Sequence, residues 1–379
     1  MTVDTLLDRA PAWLAESGPG SEIALLCQCA LVRNLADFPF PVRCSEEEKQ
    51  AVEDRILATL DSLGLLSHGQ YYSLASLSMK EARFLAERRL ITYDLFAARG
   101  PRGVYVSDNQ AMSIMVNGSD HLCLRVLLSG MQLQEAWAQV NLMDDTLRGL
   151  LDFAFDERLG FLASDLGTVG TGLKASVVMH LPALQQSNRT SEYAEQAAQE
   201  RLSLRGVRIG PGTGARAVAT PEYLLNQALF TDVEGAIGGP VQEASGALFL
   251  LVNQSTLGIS EEETLFQVRH AASDLTAAEE TARAALLQEA PRGLEDLVGR
   301  ARGAASGAHL LDFGEALELL SALRLGVDAQ LLPQVSPIQL NELMIGSQGA
   351  HLALAGAREE DPLTLSINRA DLFRSVFGN

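Results

Sequence analysis

Residues 169–184 read Val169-Gly170-Thr171-Gly172-Leu173-Lys174-Ala175-Ser176-Val177-Val178-Met179-His180-Leu181-Pro182-Ala183-Leu184. From Leu173 to Leu181 the run is mostly apolar or small, and such a run fits a buried strand or a buried helix equally well by periodicity. The glycines before it, in the spacing Gly167-x-x-Gly170-x-Gly172-x-Lys174, suggest a phosphate loop at first sight. That loop requires its lysine directly after the last glycine, and here Leu173 intervenes. The glycines then serve a tight turn, which needs their backbone freedom.

Outward from this stretch, the signals change along the chain. Upstream, Ser45 with Glu46, Glu47 and Glu48 marks a helix start, because a serine oxygen caps the first turn and acids face the positive dipole end. Val52, Ile56, Leu60 and Leu63 then make one apolar stripe, predicting a helix over 45–66. A second helix is expected over 78–89. Short strands over 103–107 and 111–117, joined by a turn at Asp108-Asn109, form a hairpin pattern. A strand over 121–128 and a long amphipathic helix over 132–155 follow. Downstream, a polar helix-like stretch (191–200) leads into Gly210-Pro211-Gly212-Thr213-Gly214, a loop by turn chemistry. That cluster could cradle an anion, but a flexible insertion fits its composition better. A strand over 247–253 follows. After Ser260 the chain reads as helices over 261–289, 293–303, 312–323 and 337–345.

The chain has 379 residues, 47% of them hydrophobic and 20% charged, enough for a substantial core. Its net charge of −19 argues against nucleic acid, which requires clustered cations, and against an anionic membrane surface. No basic-then-apolar leader opens the sequence, and no apolar run is long enough to span a bilayer, so a cytoplasmic protein is expected. Cys27, Cys29, Cys44 and Cys123 form no C-x-x-C pair and no zinc-ligand spacing, and read as ordinary thiols in a reducing compartment.

Seven strings in order resemble one family. They are Leu31-Val32-Arg33-Asn34 with Phe38-Pro39-Phe40-Pro41, Ser113-Ile114-Met115-Val116-Asn117 with Asp120-His121, and Phe155-Asp156-Glu157-Arg158-Leu159-Gly160-Phe161-Leu162. Then come the opening stretch, Asn253-Gln254-Ser255-Thr256-Leu257-Gly258, Leu323-Arg324-Leu325-Gly326-Val327-Asp328 and Leu340-Asn341-Glu342-Leu343-Met344-Ile345. Together they resemble the bacterial protein-arginine kinases, relatives of creatine and arginine kinases. The resemblance implies an α+β guanidino kinase fold: a small α-helical N-terminal region (1–76), an antiparallel sheet flanked by helices (77–260, with an insertion over 188–242) and a helical C-terminal portion (261–379) for dimerisation and interaction.

The resemblance also says where the chemistry should be. Phosphoryl transfer to a guanidine is positioning plus charge neutralisation: several cations hold the phosphates, and a carboxylate orients the guanidinium and takes its proton. The family's S-x-R-x-R arginines fall on Gln28 and Ala30 here. Its N-E-E-D-H loop becomes Asn117-Gly118-Ser119-Asp120-His121, so Gly118 and Ser119 stand where the glutamates would be. A further phosphate-binding arginine becomes Cys123. The substrate-side C-P-T-N loop becomes Asp165-Leu166-Gly167-Thr168. The arginine after G-T-G-L becomes Lys174, with Ser176 beside it, which keeps charge without the bidentate fork. Arg89 replaces a nucleotide-side histidine. The R-G-x-Y-G-E-G-S loop aligns with residues 235–242, and the family's phosphoarginine-sensing Arg-Asp pair with Leu365 and Ser366.

Lys174, Ser176 and Arg89 are therefore the candidate cofactor positions. Asp120 is either a residual base or a turn-orienting group. His121 and His180 read as hydrogen-bonded scaffold. No metal site is expected. The leading expectation is a catalytically inactive member that needs no cofactor and acts through protein partners, as a homodimer or with an active relative. Two alternatives stand beside it. One is an active protein-arginine kinase using Mg-ATP, Lys174, Arg89 and Asp120. The other is a binding module for a different ligand in the emptied cleft.

Overall fold

The structure is a computed structural model, and it describes residues 3–7, 9–15, 18–207, 244–356 and 361–378. Its centre is an eight-stranded sheet in the order β2-β3-β4-β5-β1-β8-β10-β9, antiparallel throughout. After two short helices, α1 (Asp4–Leu7) and α2 (Ala12–Ala15), come β1 (Ala24–Arg33), α3 (Glu46–Ser62) and β2 (Gly69–Ser73). Next are α4 (Met79–Glu87), α5 (Tyr93–Ala97), β3 (Gly103–Ser107), β4 (Met112–Val116), β5 (Leu122–Ser129) and α6 (Leu133–Arg148). A small hairpin, β6 (Phe155–Asp156) and β7 (Gly160–Phe161), precedes β8 (Leu173–His180), α7 (Pro182–Gln186), α8 (Thr190–Gln199), β9 (Leu202–Gly206) and β10 (Leu248–Asn253). The chain ends in helices α9 (Glu261–Glu289), α10 (Pro291–Gly307), α11 (Phe313–Asp328), α12 (Pro337–Gly346), α13 (Gly349–Ala355) and α14 (Pro362–Phe377).

The opening stretch resolves as strand β8, and alternation explains why it is apolar throughout. Leu173, Ala175, Val177 and Met179 point into a core shared with α3, α6 and α9, while Val178 points to the opposite face. Side chains alternate across a sheet, so a strand covered on both faces shows no polar period. β10 repeats the pattern, with Phe249 and Leu251 on the first face and Leu248, Leu250 and Val252 on the second. The second face is divided along its length. One end lies under the C-terminal helices, through Leu26, Leu127 and Val178. The other end is left open, and there β1, β5 and β8 carry polar or small residues.

Residues 1–76 do not make a separate helical region. β1 lies in the middle of the sheet between β5 and β8, and β2 forms its edge. The pairings of β1 join it to segments roughly 100 and 150 residues further along the chain, which no local pattern exposes. The long helix expected over 132–155 is also shorter. α6 stops at Arg148 with Gly149 as its C-cap, and Phe155 belongs to the β6–β7 hairpin. Ser45 and Ser78 do cap α3 and α4, each in a reciprocal capping box with the glutamate three residues on. The Gly210 cluster and residues 235–242 lie outside the described residues.

Candidate functional site

The open end of the second sheet face is the floor of a cleft of about 410 Å³. Strand register fixes which side chains share it. Cys123 lies opposite Val32 and Met115, and one row toward the covered end Ala30 lies between Arg125 on β5 and Lys174 on β8. Gln28, opposite Ser176, completes the β1 contribution. Arg125 and Lys174 thus flank Ala30 from strands on either side, about 10 Å apart at the backbone from two strand spacings. Both are buried, at 1% and 6% exposure, so their charges act in a medium of low dielectric.

The walls are acidic and held by backbone hydrogen bonds. Asp94, on α5, accepts from Ser119 N at 2.9 Å. Asp120 Oδ1 accepts from Asn34 Nδ2 at 2.6 Å and from Ser164 N at 2.7 Å. Asp165 Oδ1 accepts from Gly167 N at 3.0 Å, which tightens its own turn. Ser164 Oγ donates to Ser119 O at 2.7 Å, so the two wall loops are tied directly. Burial pushes the Asp120 carboxyl above the usual range, against the opposing pull of its Asn34 and Ser164 hydrogen bonds. Gly118 sits where any side chain would crowd Asp94, since a Cβ there would lie 2.8 Å from Asp94 Oδ2.

Behind Asp120, His121 is scaffold. Its backbone N donates to Asn34 Oδ1 at 3.0 Å, and its Nδ1 accepts from Leu35 N at 3.0 Å. Burial pushes the imidazole down to about 4, so it is neutral at pH 7. His180 is likewise enclosed, with Nε2 2.8 Å from Ser321 Oγ, and burial beside Arg283 and Arg324 holds it well below its ordinary value. Arg33 leaves the floor altogether: it pairs with Asp144 at 2.8 Å and lies over the Phe161 ring at 3.6 Å.

The structure gathers most of the sequence-predicted positions in this one cleft. Gln28, Ala30, Gly118, Ser119, Asp120, Cys123, Asp165 and Lys174 all line it. Ser176 lies one step further along β8 and does not line it, and neither does Arg89. Arg89 is 2% exposed, lies on the cleft's own side of the sheet behind Arg125, with its guanidinium over the Trp13 ring at 5.2 Å, and offers its carbonyl to Arg125 Nη1 at 2.9 Å. Burial and the neighbouring Arg125 charge lower its guanidinium to about 9. Sequence reasoning missed Arg125 and Asp94. The signal for Arg125 was its offset of two from Cys123, which puts both on one strand face. Among the described residues no group of three or more His, Cys, Asp or Glu side chains is placed to hold a metal ion, and no helix is long and apolar enough to cross a membrane.

Comparison with known proteins agrees with this architecture. The profile of the ATP:guanido phosphotransferase C-terminal catalytic domain matches residues 51–220, and that of the protein-arginine kinase McsB C-terminal domain matches residues 291–379. A protein-arginine kinase of Symbiobacterium thermophilum is 36% identical over 98% of this chain and 98% of its own length. One of Pelotomaculum thermopropionicum is 34% identical over 100% of this chain and 99% of its own length. Among solved structures, the duplicated taurocyamine kinase of Schistosoma mansoni with bound transition state analogue components has a TM-score of 0.55 at 19% identity, covering 78% of this chain and 38% of that one. A lombricine kinase has a TM-score of 0.53 at 18% identity, covering 73% of this chain and 72% of that one. These last two share the fold. With relatives above 30% identity along its whole length, the chain belongs to the protein-arginine kinase family of ATP:guanido phosphotransferases.

Proposed function

We propose that this family member is a pseudokinase that has kept the scaffold and acts through protein contacts, as a dimer or beside an active relative. The observation that carries this reading is the charge of the cleft. Among the described residues its lining offers two cations, Arg125 and Lys174, against three carboxylates, Asp94, Asp120 and Asp165. Each carboxylate already accepts a backbone N–H from the walls. Such a lining does not fit a magnesium-bound triphosphate, which needs a surplus of cations around three phosphates. One transition-state arginine is worth on the order of 10³–10⁵ in rate, and a positioned base roughly 10²–10⁴. These terms do not multiply simply, because such groups act as a unit, yet their joint absence leaves turnover near background. Phe155, Leu159 and Leu257 remain exposed around one shallow hollow, apolar surface of the kind that protein contacts use.

The test is a phosphotransfer assay with Mg-ATP and arginine-bearing protein. Arginine phosphorylation that disappears in Lys174→Ala would sink the reading and favour an active kinase with a rearranged site. The Arg125–Ala30–Lys174 row favours one second reading, a cleft that binds a small anion without transferring it. Calorimetry separates the two: heat with inorganic phosphate but none with Mg-ATP supports the binding module.

A further inference from the structure

We propose that the tripeptide Glu87-Arg88-Arg89 couples the cleft floor to the docking of helix α13, so that a change at Arg125 alters how firmly the C-terminal region is held. This coupling does not depend on whether the protein turns over ATP. Two of the three residues grip α13. Glu87 accepts Ala350 N at 2.8 Å through Oε1 and His351 N at 2.9 Å through Oε2, and Oε2 meets His351 Nδ1 at 2.7 Å. Arg88 Nε donates to His351 Nε2 at 3.2 Å, which leaves the imidazole proton on Nδ1, facing Glu87. Phe84 packs against both partners, 4.5 Å from the His351 ring and 4.6 Å from the Arg88 guanidinium.

Arg89 faces the other way. Its φ of +65° lies in the left-handed region, and that turn directs its carbonyl to Arg125 Nη1 at 2.9 Å. The end of α4 closes in this conformation through Arg89 N to Ala86 O and Leu90 N to Leu85 O, both 2.9 Å, and a non-glycine residue keeps it only while these bonds and the Arg125 contact hold it. Arg125 lines the cleft and α13 belongs to the C-terminal helices, so three consecutive residues, one in a conformation that must be held, connect the two. Losing the Arg125 contact lets Arg89 relax, and relaxation displaces Glu87 and Arg88 from His351. Coupling of this kind is reciprocal: loosening α13 also loosens the floor.

The experiment uses hydrogen–deuterium exchange on the full chain, with Arg125→Met against Lys174→Met. Lys174→Met also removes a cation from the cleft floor. Arg125→Met is expected to raise exchange across residues 349–355 about fivefold or more relative to α10, the low end of typical coupling. Lys174→Met should leave that ratio unchanged. An unchanged ratio in Arg125→Met, or an equal rise in both variants, overturns the proposal. A second measurement runs in the opposite direction and decides the matter if Arg125→Met fails to fold. In a Cys44→Ser background, where Cys27 and Cys29 are buried, His351→Ala should speed alkylation of Cys123 by a similar factor. Unchanged alkylation there overturns it equally.

Discussion

The Arg33 guanidinium and the Asp144 carboxylate meet at 2.8 Å with both side chains almost fully buried. Arg33 closes β1 and Asp144 lies on α6, so the pair fastens the central strand to the helix beneath it. Arg33 also donates to Thr171 O at 2.9 Å, which ties in the glycine turn before β8. Removing one partner of a buried pair costs roughly 3–5 kcal/mol, because the other is left uncompensated. Arg148, 2.9 Å from the same carboxylate, softens the loss. Arg33→Met should therefore lower unfolding stability by about 3 kcal/mol, the low end of that range, as read from urea denaturation. A change within a few tenths of a kcal/mol would show that Arg148 alone satisfies Asp144.

His121 gives the fold an acid limit. Its folded value of about 4 lies below the ordinary histidine value of 6.5, because burial disfavours the charged ring. Between those two values the unfolded chain binds the proton and the folded chain does not. Stability is therefore fully present above 6.5 and falls as pH drops toward 4. The contribution amounts to a few kcal/mol, at about 1.4 kcal/mol for each tenfold loss of proton affinity on folding. Denaturation midpoints should decline between pH 7 and pH 5. His121→Gln, though less stable at pH 7, should show a flatter decline over that interval. Parallel slopes in the two proteins would assign the acid sensitivity to other groups.

How much of this was legible in the sequence depended on whether the deciding partner was near or far along the chain. The starts of α3 and α4 were readable because Ser45 and Glu48, like Ser78 and Glu81, form their capping boxes within four residues. The place of β1 was not, because its partners β5 and β8 come much later and its apolar run has no polar period. The cleft was legible as a set of motif positions, and the structure does bring Gln28, Ala30, Cys123 and Lys174 to one floor. Arg89 falls outside the cleft for a local reason: the left-handed turn after α4 sets its side chain behind Arg125, over Trp13 in the core under the C-terminal helices. Arg125 lies outside the quoted family motifs, and only the alternation of β5, one step on from Cys123, places it on the cleft face.

The Arg125–Ala30–Lys174 row makes a counterintuitive prediction about restoring a family arginine. Ala30→Arg would insert a third cation between two existing ones on adjacent strands, and like charges directly opposite destabilise a sheet. Thermal denaturation should show a loss of about 1 kcal/mol, the upper end for a cross-strand pair. Millimolar tripolyphosphate should recover most of it by neutralising the cluster. A variant as stable as the parent without polyanion would mean that Arg125 and Lys174 exert little field at position 30.

Restoring the acid should fail for a different reason. The resemblance places a glutamate at Gly118, but a Cβ there would lie 2.8 Å from Asp94 Oδ2, and that oxygen accepts the Ser119 amide at 2.9 Å. Gly118→Glu must displace Asp94 or swing outward, and a new carboxylate beside Asp94 and Asp120 joins a cluster of like charge. Its own pKa is then raised and the neutral form favoured, the opposite of what a guanidinium partner requires. Arginine phosphorylation by Gly118→Glu should stay within about tenfold of the parent's background, against the roughly 10²–10⁴ expected of a positioned base. The double variant Gly118→Glu with Asp94→Ala removes both the crowding and one like charge, so it should bring the larger gain if the loop alone limits activity. If the double variant is also silent, the missing floor arginines at Gln28 and Ala30 are the dominant loss, which is the outcome expected from the charge of the cleft.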